Sequence, residues 1–259
     1  MGKLPQQHIS VSQINTYLRC PLQYYYRYIE GLIIPPNSAL SFGKVTHKTA
    51  EDNYKQKIET KEDLPLDEMQ DRWAQYWDEA AQETEFGKDE KPGQIKDEGI
   101  NCITTYHKEI SPNVQPVLVE EKVELSFANT DYTLLGYIDV VDENKMIIDT
   151  KTTKRTPSED NIKKDIQLTA YSLCYQTLFE EKEAGVRLDY IVRNKKPKIV
   201  QLTANKTQDD INRFLKLVAY VVKAIENELF YPNVHNVTCS EKGCGYYHKC
   251  YREWGRKAG

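Results

Sequence analysis

No apolar run in this chain approaches the roughly 18 residues that a membrane-spanning helix needs, which excludes a helical membrane anchor within it. The opening residues, Met1-Gly2-Lys3-Leu4-Pro5-Gln6-Gln7-His8, lack the apolar stretch of a secretory signal, so the expected location is the cytoplasm. There is no Gly-x-x-x-x-Gly-Lys-Ser/Thr phosphate loop, and with it no nucleotide-driven motor of that type. No segment repeats and none is of low complexity. An excess of either charge is lacking too: 35 Lys and Arg stand against 39 Asp and Glu, a net charge of −4. That argues against a general nucleic-acid coat protein but leaves room for a local basic groove. Candidate stretches for one are Lys151, Lys154 and Arg155, then Lys163 and Lys164, then Arg193-Asn194-Lys195-Lys196-Pro197-Lys198. Phenylalanine (6) and tryptophan (3) are few, whereas tyrosine reaches 18. Tyrosine serves either as a core filler with a satisfied hydroxyl or as a platform for stacked bases.

What is present is an ordinary globular composition, 39% hydrophobic and 29% charged over 259 residues. The length suits one large domain or a core with a small accessory lobe. The front is helical by pattern. Ser10 or Ser12 is placed to cap a helix carrying Ile14, Tyr17 and Leu18, and Pro21 to open a second one that Gly31 and Pro35-Pro36 end. Helices follow around Val45, His47 and Ala50, over 66–86 and over 95–110. Alternation then takes over, with strands expected at 117–127, 132–141 and 146–150. A helix from Pro157 carries Ile166, Ala170, Leu173 and Cys174 as one stripe. Strands at 188–193 and 198–202 precede a long amphipathic helix over 207–229. This order predicts a three-layer α/β fold with a helical insertion near the front.

The richest stretch is Gly136-Tyr137-Ile138-Asp139, followed by Ile147-Ile148-Asp149-Thr150-Lys151. The polar separator Asp142-Glu143-Asn144-Lys145 reads as a turn, so 134–141 and 145–150 form a hairpin that can bring Asp139 and Asp149 together. Two carboxylates that close repel unless a cation sits between them, and an oxygen-lined site of this kind suits Mg²⁺ or Mn²⁺. Lys151 lies two residues past Asp149, on the same strand face. There a cation can polarise water or neutralise charge in a phosphoryl transition state. The plain alternative is a charged surface hairpin.

Six cysteines are unevenly placed. Cys102 and Cys174 sit in apolar helical contexts and are expected to pack. Cys20, Cys239, Cys244 and Cys250 cluster at the two ends, and without a secretion signal such a set suggests metal or redox chemistry more than disulfides. Four thiolates suit a [4Fe–4S] cluster. They also suit zinc, with His248 or His235 able to replace Cys20 in a local site.

Several segments together resemble one family. Residues 10–26, with Arg19-Cys20-Pro21, are similar to the opening of RecB-like nucleases of the PD-(D/E)XK superfamily. Phe42-Gly43-Lys44-Val45-Thr46-His47 resembles that family's glycine-to-histidine motif, and Gly136–Asp139 with Asp149-Thr150-Lys151 its central motifs. Gln167-Leu168-Thr169-Ala170-Tyr171 resembles its Q-x-x-x-Y signature, and the four outlying cysteines its iron–sulfur subgroup, which includes AddB-type and CRISPR-adaptation nucleases. In that family the first two C-terminal cysteines are usually separated by two residues, here by four.

The resemblance implies a single nuclease domain over 1–259: a mixed central sheet flanked by helices, a helical insertion at 43–116, a catalytic α/β core at 117–230, and a cysteine-rich tail at 231–259 paired with Cys20. It implies that His47, Asp139, Asp149 and the carbonyl of Thr150 ligate Mg²⁺ or Mn²⁺, with Lys151 orienting a metal-activated water. Gln167 and Tyr171, on one helical face, would support Lys151 or hold a DNA phosphate, or Tyr171 would simply be core. Cys20, Cys239, Cys244 and Cys250 would bind a structural [4Fe–4S] cluster, with zinc as the alternative. One of Glu120 and Glu121 would face the metal. The implied activity is hydrolysis of DNA phosphodiesters, as an exonuclease on single strands or free ends, in recombination, repair, phage or CRISPR-adaptation settings with partners from those systems. The alternatives are an inactive DNA-binding or assembly subunit and an RNA-processing enzyme.

Overall fold

A computed structural model describes residues 7–127 and 132–255. The leader reading of residues 1–6 and the last four residues of the cysteine-rich tail lie outside the described residues. In chain order the elements are β1 (His8–Ser10), α1 (Val11–Arg19), α2 (Pro21–Tyr24) with a π turn over Tyr25–Ile29, α3 (Ser38–Thr60), α4 (Leu66–Ala81) and α5 (Pro92–Glu109). Then come β2 (Pro116–Ser126), β3 (Thr133–Asp142), β4 (Met146–Thr153), α6 (Glu159–Lys164), α7 (Ile166–Phe179), β5 (Gly185–Val192), β6 (Lys198–Ala204), α8 (Gln208–Glu226) and α9 (Tyr247–Trp254). The fold is α/β, with a mixed central sheet flanked by helices, as the sequence predicts. The chain divides into two compact units, one of residues 1–34, 123–136 and 208–259, the other of residues 35–122 and 137–207.

In the second unit β4 is the pivot. It pairs antiparallel with β3 through Val140↔Ile148 and Val141↔Ile147, and parallel with β5 over its whole length, Met146 to Thr153. β6 closes the run antiparallel to β5. The β3–β4 turn forms where the polar separator predicts it. Asp142 accepts from the Asn144 and Met146 amides at 2.9 and 2.8 Å, and Lys145 takes a left-handed φ of 61°. Helices α3, α4 and α5 bury Phe42, Val45, Trp73, Trp77, Ile103 and Tyr106 against Val140, Ile148 and Ile191 of the strands. Gly99 is required here: a Cβ on it would lie 1.9 Å from the Trp73 ring.

The helix expected from Pro157 onward is two helices. Asp165 breaks it with an extended backbone (ψ 111°) and caps α7, accepting from the Gln167 and Leu168 amides at 2.8 and 3.0 Å. The buried Lys206 ammonium ties the break down by donating to the Ile162 and Asp165 carbonyls at 3.0 and 3.1 Å. Arg193, counted above among basic-groove candidates, is instead buried. It donates two bonds to Glu98 (3.1 and 2.9 Å) and lies 3.4 Å over the Phe42 ring. A guanidinium so paired is a packing element, not a phosphate contact.

In the first unit β1, unforeseen from sequence because it is only three residues long, runs parallel to the start of β3. Ser10 caps α1 in a capping box with Gln13. Cys20 separates α1 from α2, and Pro21 takes the first helical position. Leu22, Tyr26 and Tyr246 make a small core, and the Tyr17 hydroxyl donates to the Leu229 carbonyl at 2.8 Å. The tail, read from sequence only as cysteine-rich, carries α9.

Candidate metal centre

The β3–β4 register places Asp139 across from Asp149. His47, on the third turn of α3, reaches them from the helix side, its Nε2 2.9 Å from Asp139 Oδ2. Ligand atoms of His47, Asp139 and Asp149 all lie within 4.8 Å of one another, and both carboxylates are buried. Two buried anions this close cannot both be ionised cheaply. Asp149 is accordingly held well above the usual carboxylate range by burial and by the Asp139 charge. For Asp139 burial works the same way, but the hydrogen bond and charge of His47 outweigh it and hold the carboxyl low. Burial lowers His47, yet its bond to Asp139 and the charges of Asp139, Glu120 and Asp149 raise it to about 9.

The hydrogen bonds continue in a ring. The Lys151 ammonium ion-pairs with Asp149 and donates to Gln167 Oε1 at 3.0 Å. Gln167 Nε2 donates to the Tyr171 hydroxyl at 2.6 Å, which donates to Asp139 Oδ1 at 2.9 Å. The two residues of the Q-x-x-x-Y signature thus link the lysine to the first aspartate. Burial disfavours the Lys151 charge, but Asp149 and Asp165 outweigh it and raise its pKa. Asp165 Oδ2 stands 3.8 Å from its Nζ. The sequence reading missed Asp165. An aspartate two residues before Gln167, at the head of an apolar stripe, is an N-cap signal that could have found it.

Of the glutamate pair, Glu120 is the inward one. Its backbone has φ 55°, and its Oε1 lies 3.4 Å from His47 Nδ1, while Glu121 is exposed. Glu120 Oε1 is buried with no hydrogen-bond donor, whereas Asp149 Oδ2 is taken by the Lys151 ammonium. A cage of nitrogen and carboxylate oxygen with a buried, undonated carboxylate oxygen beside it fits a hard divalent cation such as Mg²⁺ or Mn²⁺. Thr150 lies beside Asp149 on β4, paired with Asp189 of β5.

The other candidate set lies in the first unit. Cys20, Cys239, Cys244 and Cys250 are all free thiols and line one cavity with Leu22 and Tyr246. Among the described residues His47, Asp139 and Asp149 are the one group of three such ligands within 4.8 Å of one another. His248 is turned outward onto Glu241, 3.2 Å away, and His235 is exposed. Cys102 and Cys174 are buried, and burial pushes both thiols up to about 12.

An αβ core with paired carboxylates and a lysine on adjacent strands defines a class of metal-dependent phosphodiesterases. The family model for the PD-(D/E)XK nuclease superfamily matches residues 8–251. The chain belongs to that superfamily. Among solved structures it is similar to a protein from Eubacterium rectale described as a “putative exonuclease”, with a TM-score of 0.65 and 10% identity over 98% of this chain and 91% of that one. A weaker likeness, TM-score 0.36 at 15% identity, covers 89% of this chain and 93% of the protein SSO0001. A search of curated protein sequences gives no match.

Proposed function

We propose that this chain is a divalent-metal-dependent DNA nuclease, an exonuclease acting on single strands or free ends in a recombination, repair or CRISPR-adaptation setting. One observation carries the reading: the acidic pair, the histidine and the lysine are all present and joined in a single hydrogen-bonded ring. Degenerate, non-catalytic relatives would be expected to lose one of these groups.

His47, Asp139 and Asp149 hold the cation, with the Thr150 carbonyl as a further oxygen ligand. The bound cation supplies Lewis acidity toward a phosphodiester oxygen and a water acidic enough to attack near neutral pH. Lys151 stays an ammonium beside Asp149 and Asp165, so it acts as a donor and a charge, not as a general base. One of its N–H bonds is spent on Gln167 and another on Asp149, which leaves the third to orient a water, while the charge offsets that on the phosphoryl group. Tyr171 keeps Asp139 oriented, and Gln167 fixes the second N–H direction of Lys151 beside its pairing with Asp149.

The cysteine set supports a structural [4Fe–4S] cluster. The local zinc alternative needs His248, whose ring lies 3.2 Å from Glu241, or the exposed His235. End-labelled single-stranded DNA incubated with Mg²⁺ or Mn²⁺ tests the activity: shortening from one end is expected, and cleavage undiminished in excess EDTA would overturn the proposal.

A further inference from the structure

The face of α3 that carries His47 continues toward the helix start as one wall of an open cleft. Lys44 and Gly43 lie on it, opposite Asp149, Lys151 and Thr152 of β4. Lys44 is three residues before His47, hence on the same face and about 4.5 Å back along the helix axis. The cleft floor is low there because residue 43 is glycine. A Cβ at that position would already touch the Thr152 hydroxyl at 3.6 Å.

Lysines of α3 differ in one respect. Lys48 pairs with Glu51 and Asp52, Lys55 with Glu51, and Lys57 with Asp63. Lys44 is exposed and, among the described residues, has no ion-pair or hydrogen-bond partner. The helix from Ser38 to Thr49 contains no acidic residue, so nothing on that stretch competes for its charge. The Thr152 side chain is likewise unpartnered. An uncommitted ammonium and an uncommitted hydroxyl lining the same cleft, one helical turn from a cation cage, make a seat for an anion held in register with that cage. Taking the nuclease reading as given, we propose that Lys44 and the Thr152 hydroxyl bind the backbone phosphate next to the one being cleaved, and so set the strand's position along the cleft.

The test is binding of a fluorescent single-stranded oligonucleotide, read by anisotropy in Ca²⁺ across a range of salt. Each neutralised phosphate on a single strand adds about −0.7 to the slope of log K against log[salt]. Lys44→Gln should make that slope shallower by about 0.7 and weaken binding several-fold, with Lys44→Arg restoring both. Lys61→Gln removes the same charge from the residue just past the other end of α3 and should leave the slope near the wild-type value. A wild-type slope in Lys44→Gln, or an equal change in Lys61→Gln, overturns the inference. Absence of oligonucleotide binding by the unaltered chain would instead remove the nuclease reading on which it rests.

Discussion

At the scale of single residues the candidate site turns on how burial sets charge. Asp149→Ala removes a cage carboxylate and Lys151→Ala the one ammonium in the ring. Each is expected to cut cleavage by at least about 10²-fold with far-UV circular dichroism unchanged. Near-normal turnover by either would exclude the site. His47 offers a second handle. With its pKa raised to about 9, it is an imidazolium at neutral pH and must lose that proton to ligate a cation. Mn²⁺ affinity should therefore rise with pH and level off above about 9. Calorimetry at pH 7.5 in buffers of differing ionisation enthalpy should find a proton released on binding, and none in His47→Ala from this source. The thiols sort the same way. Cys102 and Cys174, pushed up to about 12 by burial, should resist alkylation of the native chain at pH 8, and the other four should react once any bound metal is stripped. The approach of Asp139 to Asp149 was legible in the sequence because a short polar turn folds β4 back on β3, whereas His47 was singled out only by the family resemblance. Which glutamate of 120 and 121 faces inward was not legible, because a left-handed backbone at Glu120 resets the alternation that would otherwise decide it.

At the scale of elements, the hairpin, the α3 histidine helix and the long α8 could be read from pattern alone, since each has strong periodicity or an explicit cap. The split between α6 and α7 could not. Hydrophobic period runs straight through 162–174, and only the side chain of Asp165 diverts the backbone. Asp165→Ala should cost about 1 kcal/mol for the lost cap and, by freeing Lys151 of one of its two carboxylates, lower kcat more than it raises KM. Packing of α4 on α5 offers a test clear of the chemistry. Gly99→Ala drives a methyl into Trp73, and the overpacking should cost about 1–3 kcal/mol, read as a lower denaturant midpoint with unchanged m-value.

At the scale of the whole molecule, each compact unit carries one candidate metal set: oxygen and nitrogen donors in the second, thiols in the first. Mn²⁺ should therefore raise amide protection in α3, β3 and β4. Protein purified without oxygen should be brown with about four irons per chain. Cys20→Ala should bleach it and lower protection in α1, α2 and α9. A colourless protein holding one zinc, unaffected by Cys20→Ala, would replace the cluster assignment and leave the nuclease assignment untouched.

The path of the chain through the first unit bears on its biosynthesis. Cys20 is translated well before Cys239, Cys244 and Cys250. Residues 35–122 and 137–207, which form the second unit, are all translated in between. A cofactor gripped by all four thiolates could thus be loaded only once Cys250 has been translated, with α1 and α2 waiting unclosed until then. Chains terminated before Cys239 would carry His47, Asp139, Asp149 and Lys151 but not all four thiols, and quality-control proteases would meet them with the first unit still open.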